Sequence, residues 1–596
     1  MVNVKVFEVS WEVCNKVGGI HTVITSKANQ MVKEYGEDYF VVGPFIVQKA
    51  SSEFQEKLAP EFLREAFNLL RNEGIICHYG RWLIDGTPNT ILIDFSEFTK
   101  NKNEIKRKLW DRFRIDSLNT EYFDFDEPVI WAYSVGRMIE EVKKRTNERI
   151  ILHAHEWLSG AAILYIRMNN VKVATVFTTH ATVLGRALAS AGRNFYANIN
   201  LIKPDEEAYK NNIQAKHQLE KQTALNCDVF TTVSEITSIE ANVMLGRKAD
   251  VILPNGLDIS KFPTFDELAI KHKNLKNKIK EFLMYYFFPY YSFDIEKTLI
   301  YFIAGRYEFH DKGIDIFIKA LSKLNKRLKD ENSEKTVVAF FWIPASVKSI
   351  RPELLESRTL YEDLRDTINE EFPEIKQKIL YLMICGKEIN DKSLFTEPFL
   401  LEVKKKMLRL KRQGSPPLST HEIYNEDNDL IMKHLKESGI NNGKDDKVKV
   451  IYYPIYLTGA DGLLDLNYYE CMTGSHLGVF ASFYEPWGYT PLEAAALGIS
   501  SITTDLAGFG RYVLKHREDP KTPGIFVLKR FNVDDETAVE NLANLLYEFT
   551  KLSKEERIKN KIEANRISKL ADWNILIKNY FEAHKLALKI FLERNS

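Results

Sequence analysis

The sequence predicts an α/β protein made of two doubly wound domains in tandem, and three observations carry that prediction. Short β-branched or apolar runs alternate with amphipathic helical stretches, the pattern of parallel strands covered by helices. The alternation occurs in two series separated by a charged helical link. A length of 596 residues exceeds what one hydrophobic core usually supports, so two or more domains are expected.

The first series opens on VNVKVFEV (2–9). It continues through YFVVGP (39–44), NTILIDF (89–95), RIILHAHEW (149–157), KVATVFTTH (172–180), DVFTTVS (228–234) and DVILPNG (250–256). Together these define a first domain over 1–270. After the charged stretch that starts at Phe265, the second series reads KTLIYFIAGR (297–306), KTVVAFFWIPA (335–345), VKVIYYPIYL (448–457), HLGVFASFYEP (476–486), SSITTD (500–505) and GIFVLK (524–529). This gives a second domain over 285–570. It carries a Lys/Glu-rich helical insertion over about 349–446, which reads either as a solvated excursion or as an oligomer contact. A last helical segment, 571–596, is expected to return toward the first domain.

Composition narrows the function. Eighty-two basic residues balance eighty-two acidic ones, so net charge points to no nucleic acid and no anionic membrane, and the ligand should be small or neutral. The five cysteines are scattered without a Cys-x-x-Cys pair, against a disulfide framework or zinc knuckle. No uncharged run approaches the length of a membrane span, and no basic-then-apolar leader precedes the first strand; a cytoplasmic location is expected.

In open α/β sheets ligands gather at the carboxyl ends of strands. At the first such end, NKVGGIHTVITSKANQ (15–30) places Gly18 and Gly19 where strand gives way to helix, with Ile20, Val23, Ile24, Ala28, Met31 and Val32 on one helical face. Glycine there would let a phosphate approach the unpaired N–H groups of a helix N-terminus; a plain tight turn is the commoner meaning of such a pair taken alone. No G-x-G-x-x-G is present, which disfavours a nicotinamide site. In IAGRYEFHDKGID (303–315), Arg306 follows a strand and Lys312 precedes a helix, two cations suited to a diphosphate. In FYEPWGYTPLEAAALG (483–498), Thr490, Pro491 and Glu493 read as a capping box with proline at the first helical position, a structural role for Glu493. Glu485, in a loop at a strand end, has no such duty. His153, His155 and Glu156 alternate along one strand end, a poor pattern for a zinc site.

Taken together, FEVSWEVCNKVGGIHTV, HAHEWLSG, TTHATVLGR, PNGLD, FIAGRYEFHDKG and YEPWGYTPLE resemble the glycogen synthases of the animal and fungal type and their bacterial relatives, from about residue 4 to about residue 592. The resemblance implies a GT-B fold, two Rossmann-like domains facing a cleft, and transfer of glucose from UDP-glucose to a glycogen or other α-1,4-glucan end with retention. It implies that Gly18 and Gly19 approach the donor phosphates, that Arg306 and Lys312 clamp the leaving group, and that Glu485 acts on the sugar side. It further implies that Arg186 faces the nucleotide, Tyr468 stacks on uracil, and Gly488, Tyr489 and Thr490 offer backbone groups to the phosphates. His180 and Glu156 line the glucosyl pocket with Asn255 in the same cleft, and Glu493 belongs to the substrate site. No metal or other cofactor is expected, and a homo-oligomer is. Two alternatives stand beside this reading: an ADP-glucose-dependent starch synthase, whose K-T-G-G-L opening differs from K-V-G-G-I here, and a catalytically silent glucan-binding scaffold.

Animal and fungal members also carry an arginine-rich helix that binds glucose 6-phosphate. Its counterpart here, ERIKNKIEANRISKLADW (556–573), keeps only Arg557 and Arg566 beside Lys559, Lys561 and Lys569. Lysine lacks the bidentate fork of arginine, so a weak response to the phosphosugar is expected.

Overall fold

The computed structural model describes residues 4–595. The first domain is built on β1 (Val4–Val9), β2 (Tyr39–Pro44), β3 (Phe54–Glu56), β4 (Ile76–Trp82), β5 (Asn89–Asp94), β6 (Arg149–His155), β7 (Ala174–Thr179), β8 (Val229–Thr232) and β9 (Val251–Ile252). They form one sheet in the order β3-β4-β5-β2-β1-β6-β7-β8-β9. All seven strands expected from sequence are present, parallel to one another. β3 and β4 were not expected, and they pair antiparallel at one edge. The sequence of β4, ICHYGRW, is half-exposed and interrupted by Gly80, so it lacks the apolar run that marks a buried strand. Gly80 is needed there because a Cβ would lie 2.1 Å from the Gln55 carbonyl oxygen on β3.

The second domain contains β10 (Thr298–Ala304), β11 (Thr336–Trp342), β12 (Val347–Ile350), β13 (His421–Ile423), β14 (Val448–Tyr452), β15 (Leu477–Val479), β16 (Ser500–Thr504) and β17 (Ile525–Leu528). The six expected strands form a parallel sheet in the order β14-β11-β10-β15-β16-β17. Its central strand β10, TLIYFIA, is buried at every position, which explains its unbroken apolar sequence. β12 and β13 form a short antiparallel pair at the base of the insertion. The insertion itself rises as the helices Pro352–Ile384 and Glu397–Leu410.

Each sheet has a point where the strand order reverses, and these points position the site. In the first sheet the reversal lies between β1 and β6, so the chain leaving β1 and the chain leaving β6 open a crevice. In the second it lies at β10, between β11 and β15. The last helix, Trp573–Asn595, leaves the second domain and packs on the first, with Trp573, Tyr580, Ala583 and Ala587 in one core with Val6, Val23 and Ile24. Two chain segments therefore connect the domains. They touch where Leu257 N–H donates to the Ala571 carbonyl (3.0 Å) and Trp573 N–H to the Leu257 carbonyl (3.2 Å).

Candidate functional site

The second domain contributes a compact group at the ends of β10 and β15. The loop after β10 clasps the loop after β15, with Phe483 N–H (2.8 Å) and Tyr484 N–H (3.2 Å) both donating to the Asp311 carbonyl. Gly313 makes this approach possible: it has φ 68°, and a Cβ would lie 2.0 Å from the Ala481 carbonyl oxygen. The clasp brings Lys312 Nζ to 2.5 Å from Glu485 Oε2. Both side chains are half-buried, and they line a small cavity with Ser482, Thr490 and Pro491. Arg306 is exposed and pairs with Glu308 at 2.8 Å, so of the two predicted cations only Lys312 touches Glu485.

The helix Tyr489–Ala496 starts differently from the sequence reading. Its N-cap is Gly488, at φ 109°, with no side-chain cap, and Pro491 is its third residue. Thr490 and Glu493 therefore form no capping box. Glu493 instead accepts the hydroxyl protons of Tyr468 (3.2 Å) and Tyr469 (3.0 Å). Burial pushes the Glu493 carboxyl up to about 7, against those two hydrogen bonds. A glutamate one turn into a helix bonds whichever donors tertiary packing places nearest. The start of this helix, with its unpaired N–H groups, lies beside the Lys312–Glu485 cavity.

Across the cleft, Gly18 is the N-cap of the helix Gly19–Tyr35, which has no capping side chain of its own. The Glu12 carboxylate accepts from Gly18 N–H (2.8 Å) and His21 N–H (2.9 Å). A Cβ on Gly18 would stand 2.9 Å from Glu12 Oε1, whereas one on Gly19 would meet nothing within 4 Å. The glycine pair thus marks an anion-accepting helix start, and a carboxylate of the chain itself holds it.

Glu156, directly after β6, has φ 64°, a strained conformation for a residue with a Cβ and one that clusters at functional sites. Its carboxylate accepts from His180 N–H (2.7 Å) and Ala181 N–H (3.1 Å). Burial raises it to about 7, although Arg186 and the two N–H groups pull the other way. Glu220, a buried carboxyl accepting from Val183 N–H at 2.9 Å, is held well above the usual range by burial and by Glu156. Sequence reasoning missed Glu220, which sits in an ordinary helical stretch with no motif around it.

Arg186 sits on the helix Val183–Ser190, whose start is capped by Thr182. Loss of solvent lowers its pKa, but Tyr484, Glu156 and Glu308 from both sides of the cleft outweigh that and raise it. Asn255 is buried, and its Oδ1 has no hydrogen-bond partner. His180 is buried at the end of β7 with its Nε2 3.0 Å from His155 Nδ1.

Glu156 does not join His153 and His155 in one cluster of possible ligand atoms. The group that does form is Glu8, His153 and His155, fully buried. Its carboxylate is already occupied by Lys27 Nζ at 2.5 Å and by His155 Nε2 at 2.6 Å, so a metal ion would have to displace an ammonium. Among the described residues no helix is long and apolar enough to cross a membrane.

The geometry is that of two Rossmann-like domains presenting cations, helix starts and carboxylates to a shared cleft. The catalytic domain of starch synthase IV from Arabidopsis thaliana, bound to ADP and acarbose, shares this fold. It superposes with a TM-score of 0.50 at 13% identity over 99% of each chain. The glycogen [starch] synthase of Neurospora crassa is 38% identical over 590 residues, covering 98% of this chain and 83% of that one. The liver glycogen [starch] synthase of Rattus norvegicus is 37% identical over 584 residues with the same coverage. Residues 8–594 match the family model for glycogen synthase. The chain belongs to the glycogen synthase family.

Proposed function

We propose that this chain transfers glucose from UDP-glucose to the non-reducing end of an α-1,4-glucan with retention of configuration. The observation that carries the reading is the Lys312–Glu485 pair, a cation and a carboxylate held side by side at two strand ends beside a helix start. Breaking the anomeric C–O bond leaves an oxocarbenium-like sugar and extra negative charge on the departing diphosphate. Lys312, Arg306 and the starts of the helices at Gly19 and Gly488 neutralise the second. One good preorganised donor contributes about 3 kcal/mol to the transition state. Glu485 stabilises the sugar side or holds its hydroxyls, and the leaving phosphate takes the acceptor's proton on the same face. With this many fixed positive groups no divalent metal is needed.

Donor binding also requires exchange of partners. The diphosphate displaces Glu12 from the Gly18 amide, and uracil stacks on Tyr468 beside Glu493. The enzyme works in the cytoplasm as a homo-oligomer. The insertion supports the second part, because Phe372, Tyr381, Met383, Ile384, Leu401 and Leu408 on its two helices are all more than half exposed.

The test is release of nucleoside diphosphate with glycogen present, UDP-glucose and ADP-glucose being offered separately and EDTA added in a parallel arm. UDP release that survives EDTA is expected. Preference for ADP-glucose, a strict metal requirement or no turnover at all would each overturn a named part of the reading.

A further inference from the structure

A chain of buried side chains runs from the carboxyl end of β1 to His180, and its protons can be placed one by one. Glu8 and Lys27 are both fully buried, in contact at 2.5 Å through both carboxylate oxygens. They neutralise each other. Glu8 also accepts the Tyr39 hydroxyl proton at 2.5 Å and lies 2.6 Å from His155 Nε2. A protonated His155 would add an unmatched cation to a site without solvent, which is strongly unfavourable, so His155 is neutral. An ionised carboxylate offers only lone pairs, so the His155 proton is on Nε2 and its Nδ1 is bare. His155 Nδ1 is 3.0 Å from His180 Nε2, and two lone pairs do not face each other; His180 therefore donates from Nε2. Neutral in the same way, His180 is left with a bare Nδ1, which makes no hydrogen bond to the described residues.

A second set of contacts steadies this chain without joining it. The His153 ring stacks on His155 with centroids 4.5 Å apart, and its nitrogens bond Thr178 Oγ1 (2.7 Å) and His584 Nε2 (3.1 Å). His584 in turn meets the Tyr35 hydroxyl at 2.9 Å. The ring plane of His155 is thus fixed from the side, and its tautomer from below by Glu8.

We propose that Glu8 and His155 are positioning residues that lock His180 as its Nε2–H tautomer, so that the donor site presents a bare Nδ1 which accepts from a hydroxyl of the transferred sugar. The assignment rests on the glucosyl-transfer reading above. Such a nitrogen discriminates by chemistry: it welcomes a hydroxyl and repels a carboxylate or phosphate in the same place. Lys27 takes part as the counter-charge that keeps Glu8 ionised while His155 stays neutral.

The test uses the whole chain labelled with 13C and 15N at histidine, with His180 assigned by the signal lost in His180→Gln. Wild type is expected to show the neutral Nε2–H tautomer at His180, unchanged across neutral pH. His155→Asn, whose amide oxygen can stand where Nδ1 stood, is expected to keep that tautomer and most of the activity. His155→Leu is expected to give a tautomer mixture and to lose kcat by about 10- to 100-fold with donor KM little changed, the size seen when a group orienting a metal-bound imidazole is removed. An Nδ1–H tautomer or an imidazolium in the active wild type would overturn the proposal. So would equal losses in His155→Asn and His155→Leu with the His180 signal unmoved. A wild type that releases no UDP sinks the donor reading instead, and its tautomer is still read from the same spectra.

Discussion

At the scale of single residues, Glu485 and Glu493 divide sharply although they sit eight residues apart in one motif. Glu485 has its backbone pinned by Gly508 N–H at 3.2 Å and its side chain on Lys312, so its carboxylate adds little to the core. Glu485→Ala should lower turnover by about three orders of magnitude or more, with a melting temperature close to wild type. Near-normal turnover would remove Glu485 from the mechanism. Glu493 behaves as a buried acid. Its folded pKa of about 7 exceeds the ordinary 4.5, so between these values the folded state binds the proton more tightly than the unfolded chain. Its protonation therefore adds stability that is present below that window and lost as pH rises through it, at most about 3 kcal/mol. Thermal melts of Glu493→Gln against wild type should show a flatter decline from acid to neutral pH, and identical slopes would reject the shifted carboxyl. Which residues gather at the cleft was partly legible in the sequence: Lys312 and Glu485 were named from their strand ends, and His180 and Glu156 from the family resemblance. What Glu493 bonds was not, because the Tyr468 and Tyr469 hydroxyls reach it from another helix. Glu220 was missed for the same reason, since it accepts from the distant Val183 N–H, and Glu12 was missed because it sits in the irregular loop after β1, where no motif marks it.

Among the elements, the parallel strands were legible because burial on both faces writes unbroken apolar runs, and the four antiparallel ones were not, because they are short or partly exposed and need no such run. The helix Lys554–Leu570 shows the same gap between composition and surroundings. Sequence reading counted its arginines. In the fold Arg566 is taken up by Glu563 at 2.7 Å and Glu518 at 3.0 Å, and so is poorly placed to recruit a phosphate. Lys561, by contrast, has no ion-pair partner among the described residues, and burial together with Lys276 and Arg557 lowers its pKa to about 7. His272 and His476 feel the same cations. Any phosphosugar response should therefore depend on Lys561 and Lys276. With UDP-glucose below saturation, glucose 6-phosphate is expected to raise activity less than severalfold, and Lys561→Ala but not Arg566→Ala should abolish the rise. An increase of about tenfold or more, a coupling above 1 kcal/mol, would show that lysines suffice for a strong switch.

For the whole molecule, the candidate site is divided between domains: Arg186, His180 and the Gly18 helix start on one side, Lys312, Arg306 and Glu485 on the other. Contacts already cross the cleft, since the Tyr484 hydroxyl donates to Glu240 at 3.0 Å and Ser190 to Asp311 at 3.3 Å. Substrates should tighten this arrangement. Solution scattering is expected to show a smaller radius of gyration with UDP and a glucan than without, and an unchanged profile at saturation would count against closure. The returning helix Trp573–Asn595 has a consequence for how the protein is made. Trp573 donates to Ser26 at 2.8 Å, and His584 bonds both Tyr35 and His153, so the first domain's interior is finished by a helix that follows the second domain. During synthesis that domain leaves the ribosome with a face open over Val6, Val23 and Ile24, and it stays open until the second domain and the helix Trp573–Asn595 have been made. Nascent chains halted before residue 573 should thus be cut by protease in the first domain and bound by chaperones, until the helix Trp573–Asn595 emerges and seals it.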